Sequence, residues 1–287
     1  MMEVYLDQIS KTYGKKQVLF DINMKLTKGI YGLLGRNGAG KTTLMEIIST
    51  LSVPNGGSIL YDDSEINRKN SKEIRRKIGY LAQDAELYPN LTVRENLTYM
   101  AMLNNLKDED TVTNIINILH LNDFCDKKFR SLSGGMKRRT CLAEAMMHSP
   151  ELLIVDEPTV GVDPEERVAI RKILYEYAEE SLVLFSTHII EDITNTCENL
   201  FVLDKGKILY SGTVTELINR AHGNVYEYLC KDKNEYEKLN VEYEVVVTTH
   251  LQQGIKVKFF AENSKIGKLV EKPTLEDAYM LLIGGRL

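Results

Sequence analysis

The octapeptide Gly35-Arg36-Asn37-Gly38-Ala39-Gly40-Lys41-Thr42, directly after the apolar run Ile30-Tyr31-Gly32-Leu33-Leu34, constrains the fold more than any other feature of the chain. It fits Gly-x-x-x-x-Gly-Lys-Thr, a spacing that works only when a strand, a tight loop and a helix follow in that order. Glycines let the backbone turn its N–H groups inward onto phosphate oxygens, where a side chain would block the approach. A helix from Lys41 to about residue 51 directs its positive end at the same anion. Lys41 adds charge for the β- and γ-phosphates, and the Thr42 hydroxyl suits a magnesium ion. An ordinary strand-to-helix turn also uses glycine, but it does not require the Lys-Thr pair. The motif therefore implies a nucleotide ligand.

Composition narrows the class further. A chain of 287 residues has room for one large domain, or one with a small appendage. A formal net charge of -5 gives no bulk basicity suited to nucleic acid or an anionic membrane surface. The densest basic run, containing Arg68, Lys69, Arg75, Arg76 and Lys77, is interrupted by Glu73 and reads as a solvated helix face. No apolar stretch approaches the ~20 residues needed to span a bilayer. Glu3, Asp7 and Lys11 interrupt any signal-peptide core, so a soluble chain made in the cytosol is expected. The 4 cysteines, Cys125, Cys141, Cys197 and Cys230, form no Cys-x-x-Cys pair and suit reduced thiols. Sequons at Asn90 and Asn96 are then chance matches. The 5 histidines lack metal-ligand spacing, which argues against zinc.

Periodicity organises the chain around the loop. Val4, Leu6 and Ile9 alternate with polar residues, as do Ile22, Met24 and Leu26, predicting antiparallel strands ahead of the loop. Further strands are expected at 58–61 and 78–81. From about residue 84 to 149 the pattern turns helical, with Thr92 and Glu95 spaced as a capping box. Apolar runs at 152–155, 182–185 and 200–203 alternate with helices, as in a parallel sheet covered on both faces. The expected architecture is an α/β domain over residues 1–214, with mixed sheet and a helical insertion at 84–149. Residues 215–287 read as a small α+β appendage, with strands at 225–229, 241–247 and 255–260 and a helix opening at Thr274. No catalytic motif is visible there, and dimerisation, regulation and structural filling are all open.

Other segments add chemistry to the loop. The apolar strand at 152–155 ends in Asp156 and Glu157. At a strand's C-terminal end Asp156 would lie beside the phosphate loop, placed to hold magnesium directly or through water. Glu157, one residue on, could polarise an attacking water as general base. In Leu132-Ser133-Gly134-Gly135-Met136 a hydroxyl, bare glycine amides and a helix N-terminus form a second anion site.

Together these segments resemble the ATP-binding cassette (ABC) family over about residues 3–214. The resemblance implies an ATPase using ATP and Mg2+, with nucleotide contacts along Gly35, Arg36, Asn37, Gly38, Ala39, Gly40, Lys41, Thr42 and Thr43. It implies that Ser133, Gly134 and Gly135 are the signature that touches ATP held by an opposite subunit. Gln83 matches a glutamine that touches magnesium, and His188 a histidine that grips the γ-phosphate. Asp163 matches the acid of a loop crossing the dimer interface, and Tyr13 an aromatic that stacks on adenine. The chain departs from the family at Met136, where many members carry Gln, and at Val160 and Val162, where Ser and Leu are frequent.

The stretches 78–83 and 87–97, the Lys137-Arg138-Arg139 triplet and residues 273–277 are similar to cassettes of bacterial drug, antibiotic and lipid-linked exporters. The partners implied are an integral membrane permease, docking at Leu87 and Tyr88, and a second cassette, identical in a homodimer, with no nucleic acid. The chain would then sit at the inner face of the cell membrane through the permease. Local packing is the alternative role for Leu87 and Tyr88. An importer subunit shares the same ATP site and stays open. A DNA-repair or chromosome-organising ATPase would separate Lys41 from Ser133 by a long coiled coil, and no sustained heptads are present. A translation factor would carry tandem cassettes, whereas this chain has one phosphate loop.

Overall fold

The computed structural model describes residues 2–67, 69–106, 108, 110–285 and 287, so Arg68 of the basic run lies outside the described residues. The chain divides into two compact units, Met1–Ser211 and Gly212–Leu287. In chain order the first unit carries β1 (Val4–Tyr13), β2 (Lys16–Leu26), β3 (Gly29–Leu34), α1 (Lys41–Ile48), β4 (Gly56–Tyr61), β5 (Ser64–Glu65), α2 (Ser71–Arg76) and β6 (Ile78–Leu81). Then follow α3 (Val93–Leu103), α4 (Thr111–Ile118), α5 (Gly134–Met146), β7 (Leu152–Asp156), α6 (Pro164–Ala178), β8 (Leu182–Thr187), α7 (Ile190–Thr196), β9 (Asn199–Asp204) and β10 (Lys207–Thr213), the last crossing the boundary.

A 6-stranded sheet in the order β10-β9-β3-β8-β7-β6 forms the centre of this unit. Its pairs β3–β8, β3–β9, β7–β8 and β6–β7 are parallel. Every residue of β7 and β8 is buried, which explains their unbroken apolar runs: a sheet covered on both faces has no wet side to encode. The register sets Leu34 opposite Thr187 and Asp156 opposite Ser186. The carboxyl ends of β3, β7 and β8 therefore finish level, at the edge where open α/β sheets hold ligands.

A 4-stranded sheet, β2-β1-β4-β5, is antiparallel and packs one alternating face inward. Val4, Leu6 and Ile9 are fully buried while Tyr5 and Asp7 are exposed, as the alternation required. In the helical stretch, Thr92 Oγ1 accepts from Glu95 N–H at 3.1 Å and Thr92 N–H donates to Glu95 Oε2 at 2.7 Å. That reciprocal cap starts α3 where the sequence called for it. The helix after the phosphate loop is shorter than expected. It ends at Ile48, and Leu51 beyond it is 67% exposed, so no core contact extends the helix to residue 51.

The second unit contains α8 (Val214–Arg220), β11 (Val225–Cys230), α9 (Lys233–Glu242), β12 (Glu244–Leu251), β13 (Gly254–Phe260), β14 (Lys268–Leu269) and α10 (Leu275–Ile283). Its antiparallel sheet runs β12-β13-β11-β14 around buried Cys230, Leu239, Val257 and Phe259. The strand expected at 241–247 is displaced: Val241 and Glu242 close the helix α9, and the strand begins at Glu244. Asp232 caps that helix by accepting from Glu235 N–H at 2.9 Å, a local signal that the apolar alternation masked.

Candidate active site

The loop from β3 to α1 is held by close backbone approach. Gly40 has φ of 110° and Gly38 of 78°, left-handed values that favour glycine. A Cβ on Gly35 would lie 2.4 Å from the Leu203 carbonyl oxygen of β9, so this position also excludes a side chain. Arg36, Asn37 and Gly38 are exposed, Ala39 is buried, Thr42 is exposed and Thr43 half-buried. Among the described residues, no backbone acceptor outside the helix is found for the first amides of α1, those of Lys41, Thr42 and Thr43, so their dipoles point at this loop.

Lys41 is 6% exposed, and its Nζ donates to the Gly35 carbonyl at 2.8 Å. The same Nζ pairs with Glu157 Oε1 at 3.0 Å, while Glu157 Oε2 lies 2.9 Å from His188 Nδ1. One carboxylate thus bridges the loop lysine and the histidine beyond β8. Glu157 is the anion that meets the Lys41 ammonium in this structure. Its backbone φ of 49° is left-handed and uncommon for a residue with a side chain. Its N–H donates to Ser186 Oγ at 3.1 Å, and the Ser186 hydroxyl donates to Asp156 Oδ1. Ser186 was not anticipated as a site residue. The signal was a hydroxyl inside the buried run of β8, placed by register against Asp156. A further unanticipated group holds the turn after Glu157: Thr159 donates to buried Asp192, which Arg171 Nη1 meets at 3.0 Å.

The residues present suit a magnesium ion. Asp156 is fully buried, yet its Oδ2 has no hydrogen-bond partner among the described residues. An orphaned buried carboxylate oxygen at the carboxyl end of β7 is a partial donor for a hard cation, which substrate phosphates would complete. Among the described residues, no group of three or more His, Cys, Asp or Glu could hold a metal ion. Gln83 is the second residue after β6, with an exposed side chain.

The Ser133 region has the opposite character. Ser133 caps α5 by accepting from Met136 N–H at 3.2 Å, and it is exposed together with Gly134. The helix α5 opens at Gly134, directly after the capping serine. Gly135 is packed on α6, where an added Cβ would lie 2.4 Å from Glu166 Cγ. Glu166 is fixed in turn by Arg139 Nε at 2.7 Å. A Cβ on Gly134 would meet the Gly161 carbonyl at 3.4 Å, so the loops before α5 and α6 lie side by side. Asp163 begins α6 ahead of Pro164 with its side chain exposed and uncommitted to a cap. Among the described residues, no hydrogen bond or ion pair joins Ser133 or Asp163 to the Lys41 loop. Tyr13, at the end of β1, is 49% exposed, with Lys11 Nζ 5.0 Å from its ring centroid. Leu87 is buried, so of the apolar pair expected at the surface only Tyr88 is presented, edge-on to Tyr99 at 5.2 Å.

Comparison with known proteins places this geometry in context. The family profile described as ABC transporter matches residues 19–160. The linearmycin resistance ATP-binding protein LnrL of Bacillus subtilis strain 168 is 36% identical over 76% of this chain and 71% of its own length. The bacitracin transport ATP-binding protein BcrA of Bacillus licheniformis is 33% identical over 96% of this chain and 96% of its own. Among solved structures, an ATP-binding subunit of an ABC transporter is 26% identical, with a TM-score of 0.67 over 76% of this chain and 92% of that one. A dimeric bacterial ABC transporter cassette is 25% identical, with a TM-score of 0.66 over 73% and 98%.

Proposed function

The chain belongs to the ABC transporter family, and on that premise we propose that it is the ATP-hydrolysing subunit of an exporter, driving a separate membrane protein. ATP binding and hydrolysis come with the family. Export through a permease is our extension, supported by relatives named for bacitracin transport and linearmycin resistance. Among the described residues no helix is long and apolar enough to cross a membrane, which fits a subunit working through another protein. We place it on the cytoplasmic side, against that permease.

The observation that carries the mechanism is the bridge from Lys41 through Glu157 to His188. Incoming phosphate oxygens compete with Glu157 for Lys41 Nζ and take up the amides at 38–43. Glu157, released from Lys41 but still beside His188, accepts the proton of the water that adds to the γ-phosphorus. The bond from that phosphorus to the bridging oxygen breaks, leaving ADP and phosphate. Magnesium, held by Asp156 and Thr42 with Gln83 nearby, would neutralise charge on the phosphates when bound. Tyr13 offers an exposed ring for adenine at the rim.

Ser133 and Asp163 make no hydrogen bond or ion pair to the Lys41 loop among the described residues, and we assign them, with Gly134 and Gly135, to the nucleotide of a second cassette closing head to tail. A similar cassette described as dimeric supports the pairing of two cassettes. For the permease, the exposed Tyr88 and Tyr99 lie on the helical insertion, and a groove of about 870 Å³ runs past Arg75, Arg76, Leu103 and His148. In inverted membrane vesicles holding the chain with its permease, ATP should drive uptake and Glu157→Gln should abolish it. Uptake indifferent to that variant would overturn the coupling.

A further inference from the structure

One buried guanidinium in the first unit has no role in the chemistry above. Arg138 lies in α5, beyond Ser133, and is 9% exposed. Its Nη1 donates to the carbonyls of Ala82 at 2.7 Å and Gln83 at 2.9 Å. Its Nη2 donates to the carbonyl of Asp156. Among the described residues no carboxylate lies within ion-pair distance of it; its hydrogen bonds go to backbone oxygens, and Asp156 and Asp84 act on it only through space. Burial accordingly pulls its pKa below the usual arginine range. A buried charge with no directly paired carboxylate is costly, so its geometry is the feature to explain.

The acceptors are not scattered. Two belong to the segment that carries Gln83. The third is the oxygen of the peptide bond between Asp156 and Glu157, whose N–H is already taken by Ser186 Oγ at 3.1 Å. That peptide is clamped from both sides, by Arg138 on its oxygen and by Ser186 on its nitrogen. Its plane fixes where the Glu157 side chain leaves the backbone, in the left-handed conformation already noted. The planar fork reaches both segments at once, which an ammonium on a flexible stem does not reproduce.

We propose that Arg138 is a positioning residue that ties the Asp156–Glu157 peptide and the Gln83 segment to the helix headed by Ser133. A shift of α5, when Ser133 engages a partner's nucleotide, is then passed to the carboxylate of the chain's own pocket. The proposal rests on the assignments of Ser133, Gln83 and Glu157 made above. Because a displacement of about 1 Å at a reacting group costs up to ~10²-fold in rate, the effect belongs in turnover and not in ATP affinity.

The test uses the full chain, with Arg138→Met to remove every donor, Arg138→Gln as a second neutral variant, and Arg138→Lys to restore charge without the fork. ATP binding and hydrolysis are measured for each beside Glu157→Gln. The expected result is a kcat about 10- to 100-fold lower in the Met and Gln variants, with KM and ATP affinity within about twofold of the parent and partial recovery in the Lys variant. Unchanged kcat in both neutral variants, with Glu157→Gln inactive, would overturn the Arg138 assignment alone. Parallel loss of ATP affinity, kcat and thermal stability would also overturn it, reducing Arg138 to a structural support. Full activity in Glu157→Gln would instead overturn the site reading beneath it.

Discussion

The two halves of the candidate site, on one compact unit, are built on opposite principles. Around Lys41 the functional groups are buried and already paired: Lys41 and Glu157 are 6% and 5% exposed, and each finds its counter-charge within the chain. In the other half Ser133, Gly134 and Asp163 are exposed, and the hydrogen bond described for Ser133 caps its own helix. The first half carries an internal substitute for its ligand. The second carries none and faces outward. On the proposed function, such a chain captures a nucleotide alone and needs another surface to enclose it. The α5 helix joins the halves, with Ser133 at its exposed head and Arg138 in its buried body.

Removing the internal carboxylate should give the largest effect. Glu157→Gln is expected to slow ATP turnover by roughly 10²–10⁴-fold, as for loss of a general base. Because Glu157 competes with phosphate for Lys41, the same variant should bind ATP at least as tightly as the parent. Weaker binding, read by nucleotide titration, would break the contrast by showing that the carboxylate supports the loop instead of plugging it.

Removing the lysine comes next. Lys41→Ala should weaken ATP binding by about 10- to 100-fold, the worth of a charge-assisted hydrogen bond of 1.5–3 kcal/mol. It also leaves Glu157 buried with only His188 as partner, so the melting temperature should fall. Unchanged affinity by calorimetric titration would show that this loop is not the phosphate site.

The smallest effect lies just past the buried end of α5. His148 Nε2 sits 3.1 Å from the Ile78 carbonyl, and burial lowers its pKa below the usual histidine value of 6.5. The folded state therefore favours neutral imidazole, and the unfolded chain binds the proton more readily. This contribution to stability is complete above about pH 6.5 and declines as pH falls toward the folded pKa. Neighbouring Glu144 works in the other sense, since burial raises its pKa and acid then favours the folded form. His148→Gln should flatten the fall in melting temperature just below pH 6.5 by a few degrees. An unchanged pH profile would show that His148 does not report burial of this end.

Legibility in the sequence follows the same divide. The phosphate loop could be read because strand, glycines and Lys-Thr form one contiguous pattern. Asp156 and Glu157 were legible as the polar end of a buried strand. The bridge from Lys41 to Glu157 was not, because it depends on β8 lying between β3 and β7 in level register. Ser186 and Arg138 were hidden for the same reason, since their partners are backbone or side-chain atoms of distant segments. Leu87 was misjudged as surface because apolar residues in a loop carry no periodicity to say which way they face. Val241, 90% exposed at the end of α9, belonged to an apolar-polar alternation that fits the adjoining strand equally well.

The central claim, that the outward half serves a partner's nucleotide, is tested most directly by mixing two defective chains. Ser133→Arg should bind ATP alone yet fail to hydrolyse it, its cation taking the space of the γ-phosphate, while Lys41→Ala should bind ATP more weakly and also fail to hydrolyse it. A mixed pair contains one pocket with an intact Lys41 loop from one chain and an intact Ser133 from the other, opposite a doubly damaged pocket. Hydrolysis absent from either variant alone but regained on mixing is the result predicted here. Full activity of Ser133→Arg by itself, or no recovery in a mixture shown to form mixed dimers, would contradict it.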